Sequence, residues 1–360
     1  MLGKKTVLSF VILAGGVLLA MAAACGGGGS GPSAPALTPS PLLPTSTAPP
    51  VPTPTPKPVF TCPLDGLPVQ DPALLWRRPL LVKIDNSQGA RPQSGLSQAG
   101  IVFEHVTEGG ITRFTALYLR TDPPRLGPIR SARLVDIDIA REYDGMLAHV
   151  GASGPVMQQI RNSGISDLDQ FFHAAAYQRV PERLSPHNVY TSSAALRALA
   201  RELGFERAPR LRGIPFSEEV RQGGSPALIA SVPFSSGYEV SYRYDATKRR
   251  YARFMAGQPH VDAETSQQLE AANVVVQFVP ILATDIREDE SGSPSLTFDR
   301  VGAGDALIFR DGQVFKARWQ RDSDDERTRY LDESGHPIPL KPGPTWVELL
   351  APGAPVTWTP

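Results

Sequence analysis

The chain has 360 residues and 41% of them are hydrophobic, so it is long enough for two folded units and too apolar to be disordered throughout. Basic and acidic residues number 36 each, but residues 1–61 hold three lysines and no acid, which leaves the rest slightly acidic. This balance excludes a nucleic-acid-binding protein that relies on bulk positive charge. The two cysteines, Cys25 and Cys62, exclude a disulfide framework and a cysteine-rich metal module.

Residues 1–24 are predicted to be a lipoprotein signal peptide. A short basic start precedes an apolar run from Thr6 to Ala24, whose length also suits a retained membrane helix. Its ending, Ala22–Cys25, resembles a bacterial lipobox, in which small residues precede a cysteine that is diacylated and becomes the new N-terminus. Two acyl chains anchor a protein stably. We therefore predict lipidation of Cys25 and attachment to the extracytoplasmic face of the cell membrane.

Residues 25–61 are predicted to be a Gly/Pro-rich tether. From Gly31 to Phe60 there are eleven prolines and one charge, Lys57. Proline at this density favours an extended polyproline II conformation at about 3.1 Å per residue, so the tether could reach on the order of 100 Å. The alternative is a proline-rich ligand for a partner domain.

Strands and helices alternate in residues 62–205, which predicts an N-terminal α/β domain. Four segments have strand patterns: Pro79–Asn86, Ile101–Val106, Thr112–Leu119 and Gly145–Gly151. Three segments have helix patterns: Ser131–Tyr143, Pro155–Asn162 and Ser192–Leu203. Ser131 is the expected N-cap of the first helix, and Gly204 is expected to close the last.

Residues 206–360 have a different pattern, which predicts a β-rich C-terminal domain. Alternating apolar residues, continuous apolar runs and one hairpin turn at Asp311-Gly312 mark its strands: Val240–Tyr244, Arg250–Met255, Val274–Ile281, Ala306–Phe309, Val314–Trp319 and Trp346–Leu350. The pattern alone leaves open whether the two halves are separate domains or share one continuous sheet.

Several sequence blocks, in a consistent order over residues 62–358, resemble one known family. They are Asp85-Asn86 with Ala90–Leu96, Glu108–Arg113, Gly127–Arg133, Pro186–Tyr190, Tyr242–Asp245, Asn273–Gln277 and Gly343–Trp346. Together they are similar to the YerB-like lipoproteins, a family of unknown function. The resemblance implies an α/β (α+β) fold, with an N-terminal layered α/β sandwich on a mixed sheet and a smaller β-rich C-terminal domain. It supplies no activity, so any chemistry must come from the residues.

The densest group of polar residues suggests an anion site. It consists of Arg113, Arg130, Ser131 and Arg133, and Arg91, Asp85 and Asn86 are expected at the same rim. Arginine matches carboxylate or phosphate oxygens with parallel hydrogen bonds, and a helix capped by Ser131 would point its first amides at the same anion. The alternative is that each arginine forms a structural ion pair with a nearby acid: Asp85, Glu104, Glu108 or Asp136.

Histidines provide weaker candidates. His149 and Ser153 flank a glycine-rich turn, which suggests a hydrolase with Asp85 or Asp167 as the orienting acid, but the spacing is not that of a nucleophile elbow. A buried histidine and a helix-capping serine are the alternative. His187 and Asn188 suit a turn that could line the same cleft. No spacing typical of metal ligands is present, and we expect no metal and no cofactor.

The function predicted from these observations is a membrane-anchored extracytoplasmic lipoprotein that binds an anionic envelope ligand, either peptidoglycan or a cell-wall polymer, through an arginine-rich cleft. One alternative is an extracytoplasmic hydrolase acting on the same material, which requires a nucleophile and a base within about 3.2 Å. Another is a scaffold for an envelope protein, which requires an exposed apolar patch. The sequence indicates no particular protein partner and no nucleic acid.

Overall fold

The structure is a computed structural model, and it describes Gly28, Gly31 and residues 60–360. The predicted signal peptide, the lipidation of Cys25 and nearly all of the tether lie outside these residues. Within the described part of the chain, no helix combines the length and the apolar character that crossing a bilayer would require.

Residues 60–206 contain short and long strands interspersed with three helices. The strands are β1 (Phe60–Thr61), β2 (Pro68–Val69), β3 (Leu80–Asp85), β4 (Ile101–Val106), β5 (Thr112–Tyr118), β6 (Met146–Ala148), β7 (Ser166–Asp167), β8 (Gln178–Arg179) and β9 (Val189–Tyr190). The helices are α1 (Leu134–Glu142), α2 (Gly154–Ser163) and α3 (Ser193–Glu202). The last two residues of the predicted tether therefore belong to a strand.

Residues 207–360 contain strands and no α-helix. The strands are β10 (Ser225–Pro226), β11 (Ile229–Pro233), β12 (Glu239–Asp245), β13 (Arg250–Met255), β14 (Gln258–Pro259), β15 (Glu270–Ala271), β16 (Asn273–Phe278), β17 (Ile281–Arg287), β18 (Pro294–Phe298), β19 (Gly302–Arg310), β20 (Gln313–Arg321), β21 (Arg329–Leu331), β22 (Thr345–Leu350) and β23 (Thr357–Thr359). The mixed α/β class and the β-rich second half predicted from the sequence are confirmed.

One large sheet runs through both halves of the described chain. Its strand order is β10-β20-β19-β16-β22-β4-β5-β3-β6-β7, with β21 paired to β20. The last long strand, β22, lies between β16 and β4 and is parallel to both. A second sheet of the C-terminal half has the order β14-β13-β12-β11-β23, with β15 paired to β13. Strands of both halves therefore pair in one continuous sheet, which is one of the two arrangements that the sequence pattern left open.

The apolar strands of the N-terminal half bury their side chains on both faces. All six residues of β3 and all seven of β5 are buried, although the two strands include polar residues such as Lys83 and Arg113. β3 pairs antiparallel with β5 but parallel with β6, and β6 pairs parallel with β7. The carboxyl ends of β3, β6 and β7 therefore lie at one edge of the sheet, where α/β proteins commonly bind ligands.

Helix α1 begins at Leu134, so the prediction that Ser131 is its N-cap is wrong. Ser131 and Ala132 lie outside regular secondary structure, and the N-cap position belongs to Arg133. The Asp136 carboxylate accepts a hydrogen bond from the Arg133 backbone N–H at 2.7 Å. An acid in the first turn, rather than a serine before it, satisfies this end of the helix.

Candidate functional site

Asp85 lies at the carboxyl end of β3 and is the centre of a small polar cluster. One carboxylate oxygen, Oδ1, accepts the Ser87 backbone N–H at 3.0 Å. The other, Oδ2, lies 2.7 Å from His187 Nδ1 and 3.3 Å from Arg130 Nε. Burial by itself would raise the pKa of Asp85, but the Ser87 N–H and the Arg130 charge outweigh it, and the pKa is lowered. Asp85 therefore stays ionised and holds both the Arg130 guanidinium and the His187 imidazole. We refer to Asp85, Ser87, Arg130 and His187 as the edge cluster.

Arg130 keeps most of its hydrogen-bonding capacity. Its side chain is 26% exposed, and it approaches Asp85 only through Nε. The terminal nitrogens Nη1 and Nη2 form no hydrogen bond or ion pair with any residue between 60 and 360. These N–H groups are free to bind an anion from solvent.

Asn86 and Arg91 join the same region from a deeper layer. The Asn86 amide donates to Thr112 Oγ1 at 2.7 Å and to Glu104 Oε1 at 3.1 Å, while its Oδ1 accepts from Arg91 Nε at 3.2 Å. The Arg91 guanidinium lies 5.0 Å from the centre of the Tyr238 ring. Asn86 is fully buried, so its role in this structure is to position Arg91.

Arg113 and Arg133 are both paired with Glu108. Arg133 Nε donates to Glu108 Oε2 at 2.8 Å, and the Nη2 atoms of both arginines approach Oε1. Arg113 also donates to the Ser131 carbonyl at 3.0 Å. Burial, and next the charge of Arg133, lower the pKa of Arg113 to about 10. Here the structure shows the ion pairs that were the alternative to an anion pocket, and Ser131 contributes its carbonyl oxygen rather than a helix cap.

His149 is fully buried at the carboxyl end of β6. Its Nδ1 lies 2.9 Å from the Gly151 carbonyl oxygen, and its Nε2 lies 2.8 Å from Asp167 Oδ1. Both partners can only accept hydrogen bonds, so both ring nitrogens donate and the imidazole is charged. Ser153 is the N-cap residue of α2, and its Oγ is buried without a hydrogen bond in the described region. His149 is thus a buried histidine and Ser153 a helix N-cap residue, which was the alternative to a hydrolytic pair.

The charge on His149 predicts a pH-dependent stability. Burial alone would lower the pKa of His149, but Asp167, Asp169 and the Gly151 carbonyl raise it above 6.5. A raised histidine pKa stabilises the fold fully below 6.5, and this stabilisation is lost as pH rises through the folded-state pKa. The difference in unfolding free energy between the wild type and His149→Gln, measured by urea denaturation from pH 6 to pH 9, should shrink with rising pH. A difference that stays constant would contradict the charged state.

Asn188 is the predicted residue that contributes least to the edge cluster. Its Oδ1 accepts from Arg179 Nη1 at 2.9 Å across the β8–β9 pair, while the neighbouring His187 belongs to the cluster. The edge cluster thus brings together Asp85, Arg130 and His187 from the sequence prediction, with Arg91 and Asn86 beside them.

Two residues with notable contacts, Ser87 and Arg253, were not predicted from the sequence. Ser87 belongs to the edge cluster, with its Oγ 3.3 Å from His187 Nδ1. Arg253 on β13 is fully buried and contacts the carboxylates of Glu104 and Glu348, the Tyr242 hydroxyl and His260 Nδ1. One signal for Arg253 was available, because strand alternation places it on the same face as Tyr251 and Met255.

The edge cluster does not coincide with a cavity of about 680 Å³ near the starts of β6 and β7. That cavity is lined by polar residues around Asp144, among them Arg78, Arg207 and Arg210. None of the ten predicted ligand-binding residues lines it. Asp144 accepts from Arg207 Nη1 at 2.6 Å and lies 3.3 Å from Arg78, so the charges there are largely paired internally.

These features define the class of protein. It is an α/β protein whose two halves share one mixed sheet, with a polar cluster at the carboxyl end of strand β3. Residues 64–206 match the N-terminal domain, and residues 230–347 the C-terminal domain, of a family described as protein of unknown function (DUF3048). The chain belongs to this family, the YerB-like proteins, and the resemblance found in the sequence is confirmed.

Two comparisons with Bacillus subtilis proteins support the assignment. The chain is 29% identical over 296 residues to a protein of strain 168 named "Putative lipoprotein YerB", covering 80% of this chain and 85% of the relative. It also matches the crystal structure of the YerB protein with a TM-score of 0.74 and 27% identity, covering 84% of this chain and all of the other. The similarity therefore extends over both halves of the fold.

Proposed function

We propose that this chain is a lipid-anchored extracytoplasmic protein that binds an anionic component of the cell envelope, peptidoglycan or a wall polymer, at the edge cluster. The lipobox-like Ala22–Cys25 and the name of the Bacillus relative support the anchor. The proline-rich tether supplies reach from the membrane. The ligand class follows from the charges at the sheet edge.

The observation that carries this proposal is the uncommitted end of Arg130. Asp85 contacts the guanidinium through Nε, which leaves the two terminal NH2 groups without a partner among residues 60–360. His187 shares the same Asp85 oxygen and is 23% exposed. Arg113 and Arg133 are committed to Glu108, so the binding surface is smaller than the predicted arginine cleft and is centred on Arg130.

Replacing Arg130 tests this function, and Asp85 keeps its contacts with the Ser87 N–H and His187 in the variant. Arg130→Gln is expected to weaken binding of purified anionic wall polymer about 10- to 100-fold, which corresponds to one lost charge-assisted contact. Arg318→Gln, which removes an exposed arginine on β20, is the matched control and should bind like the wild type. Binding of the full chain in detergent is measured by calorimetry. Equal affinities of the wild type and Arg130→Gln would refute the site.

One observation favours the scaffold alternative. Phe171 and Phe172, in the loop after β7, are 68% and 66% exposed. Gly151 packs against the Phe171 ring, so this aromatic pair adjoins the same sheet edge as the cluster. A protein partner would bury both rings, and loss of partner capture in a Phe171→Ala, Phe172→Ala variant with polymer binding intact would support that role.

A further inference from the structure

His187 is held in the orientation of a general base. The Asp85 carboxylate can only accept a hydrogen bond, so the nitrogen facing it at 2.7 Å, Nδ1, carries the proton. In the neutral ring the lone pair is then on Nε2. That atom forms no hydrogen bond within the described residues 60–360, and the side chain is partly exposed to solvent.

The loop after β3 leaves room for this orientation. A Cβ added to Gly89 would lie 3.2 Å from His187 Nε2 and 3.1 Å from Cδ2. Contacts this short are tighter than ordinary van der Waals contact, so a side chain at this position would press on the imidazole ring. The Ser87 N–H at Oδ1 and Arg130 at Oδ2 hold the Asp85 carboxylate in place.

Arg130 supplies the second requirement for cleaving an anionic ligand. It converges on the same Asp85 oxygen as His187, so its free N–H groups lie near the imidazole. A guanidinium donates parallel hydrogen bonds to the two non-bridging oxygens of a phosphodiester. These oxygens gain negative charge in the transition state, where a fixed cation is most effective.

The described residues offer no side-chain nucleophile to Nε2. Ser87 Oγ lies 3.3 Å from Nδ1, the nitrogen that already faces Asp85, so Nε2 cannot activate it. Ser153 Oγ is buried and does not contact a histidine. The attacking group must therefore be water or a hydroxyl of the ligand itself.

We propose that His187 is the general base of a phosphodiester-cleaving site, an activity that rests on the binding function proposed above. Neutral His187 takes a proton at Nε2 from the attacking hydroxyl or water, while the oxygen of that group bonds to phosphorus. The P–O bond to the leaving oxygen breaks, and His187 returns the proton to the leaving alkoxide. Arg130 binds the non-bridging oxygens throughout, and Asp85 is a positioning residue.

Two chromogenic phosphodiesters test the reaction on the full chain in detergent. Hydroxypropyl p-nitrophenyl phosphate carries its own attacking hydroxyl, whereas bis(p-nitrophenyl) phosphate requires water. We expect cleavage of at least one, with kcat reduced about 10²- to 10⁴-fold in His187→Gln. His336→Gln, which changes an exposed histidine on a distant turn, should leave kcat unchanged.

A positional effect is separated from proton transfer by chemical rescue. Added imidazole should restore part of the activity of His187→Ala, because it supplies the missing base in solution. Failure of imidazole to rescue His187→Ala would overturn the proposal.

The two proposals fail differently. If the wild type binds anionic polymer through Arg130 but cleaves neither phosphodiester, the catalytic proposal is refuted and the binding function stands. If polymer binding is itself independent of Arg130, the binding function is refuted as well. Cleavage of equal rate in wild type and His187→Gln would assign the activity to a contaminant and also refute the proposal.

Discussion

Replacing Arg253 with methionine is expected to lower the free energy of unfolding by about 3–5 kcal/mol, because it leaves buried carboxyl groups without their cation. Arg253 is fully buried between β13 and the large sheet. Its Nη1 donates to Glu348 Oε1 at 3.0 Å, and its Nη2 binds Glu104. Its guanidinium also lies 4.1 Å from the centre of the Trp346 ring. Methionine fills a similar volume, so the loss measures charge and hydrogen bonding more than packing.

Urea unfolding of the full chain, followed by tryptophan fluorescence, measures this effect. Arg243→Met on the neighbouring strand β12 is the control, since Arg243 is exposed and stacks 4.2 Å from the centre of the Phe254 ring. Its loss should cost less than about 1 kcal/mol. If Arg253→Met is no more destabilising than Arg243→Met, the contacts of Arg253 with Glu104 and Glu348 do not hold the two sheets together.

Glu348 is expected to make the protein less stable as pH rises from 4.5 to 8. Burial, and next the neighbouring Glu104 on β4, raise the pKa of Glu348 from 4.5 to about 8. The folded protein therefore holds a proton that the unfolded chain has released, and unfolding becomes easier by about 1.4 kcal/mol per pH unit in this window. Above pH 8 both states have lost the proton and this contribution to the slope ends.

The variant Glu348→Gln removes this titration. Glutamine can still accept hydrogen bonds from Arg253 and the Tyr242 hydroxyl, which now bind Glu348 Oε1. Urea unfolding between pH 5 and pH 8 should give a flatter profile for the variant, which overtakes the wild type in stability at the upper end. His149 is unchanged in the variant, so its effect cancels in the comparison. Parallel profiles would mean that Glu348 is already ionised at pH 5.

Most strands and hairpin turns were predictable because apolar patterns and turn-forming residues mark them locally in the sequence. The sequence limits for β4 and β13 agree with the structure, and the Asp311-Gly312 turn connects β19 and β20 as expected. Both turn residues have the positive φ that such a hairpin requires, 52° and 74°. The N-cap of helix α1 was placed two residues too early because a serine before an apolar stripe suggested a cap, whereas Asp136 satisfies that end.

The site was only partly predictable, since charge patterns do not show which ion pairs form. The sequence pattern does not distinguish Arg113, Arg130 and Arg133. In the fold, Arg113 on β5 and Arg133 at the start of α1 lie beside Glu108, whereas Arg130 lies beside Asp85. His187 and Asp85 are distant along the chain. They come into contact because the loop between β8 and β9 folds over the end of β3. Arg253 was not singled out within the predicted strand Arg250–Met255, because a charged residue on an alternating strand is usually exposed.

The position of β22 has a consequence for how the chain is made. Residues 345–350 insert between two strands that precede them by long stretches of sequence, so the central sheet stays open until they leave the ribosome. A message with a premature stop codon before Thr345 would yield a product with unpaired edges on both β16 and β4. Such edges recruit strands from other molecules, so these truncated products should aggregate or be degraded rather than retain partial function.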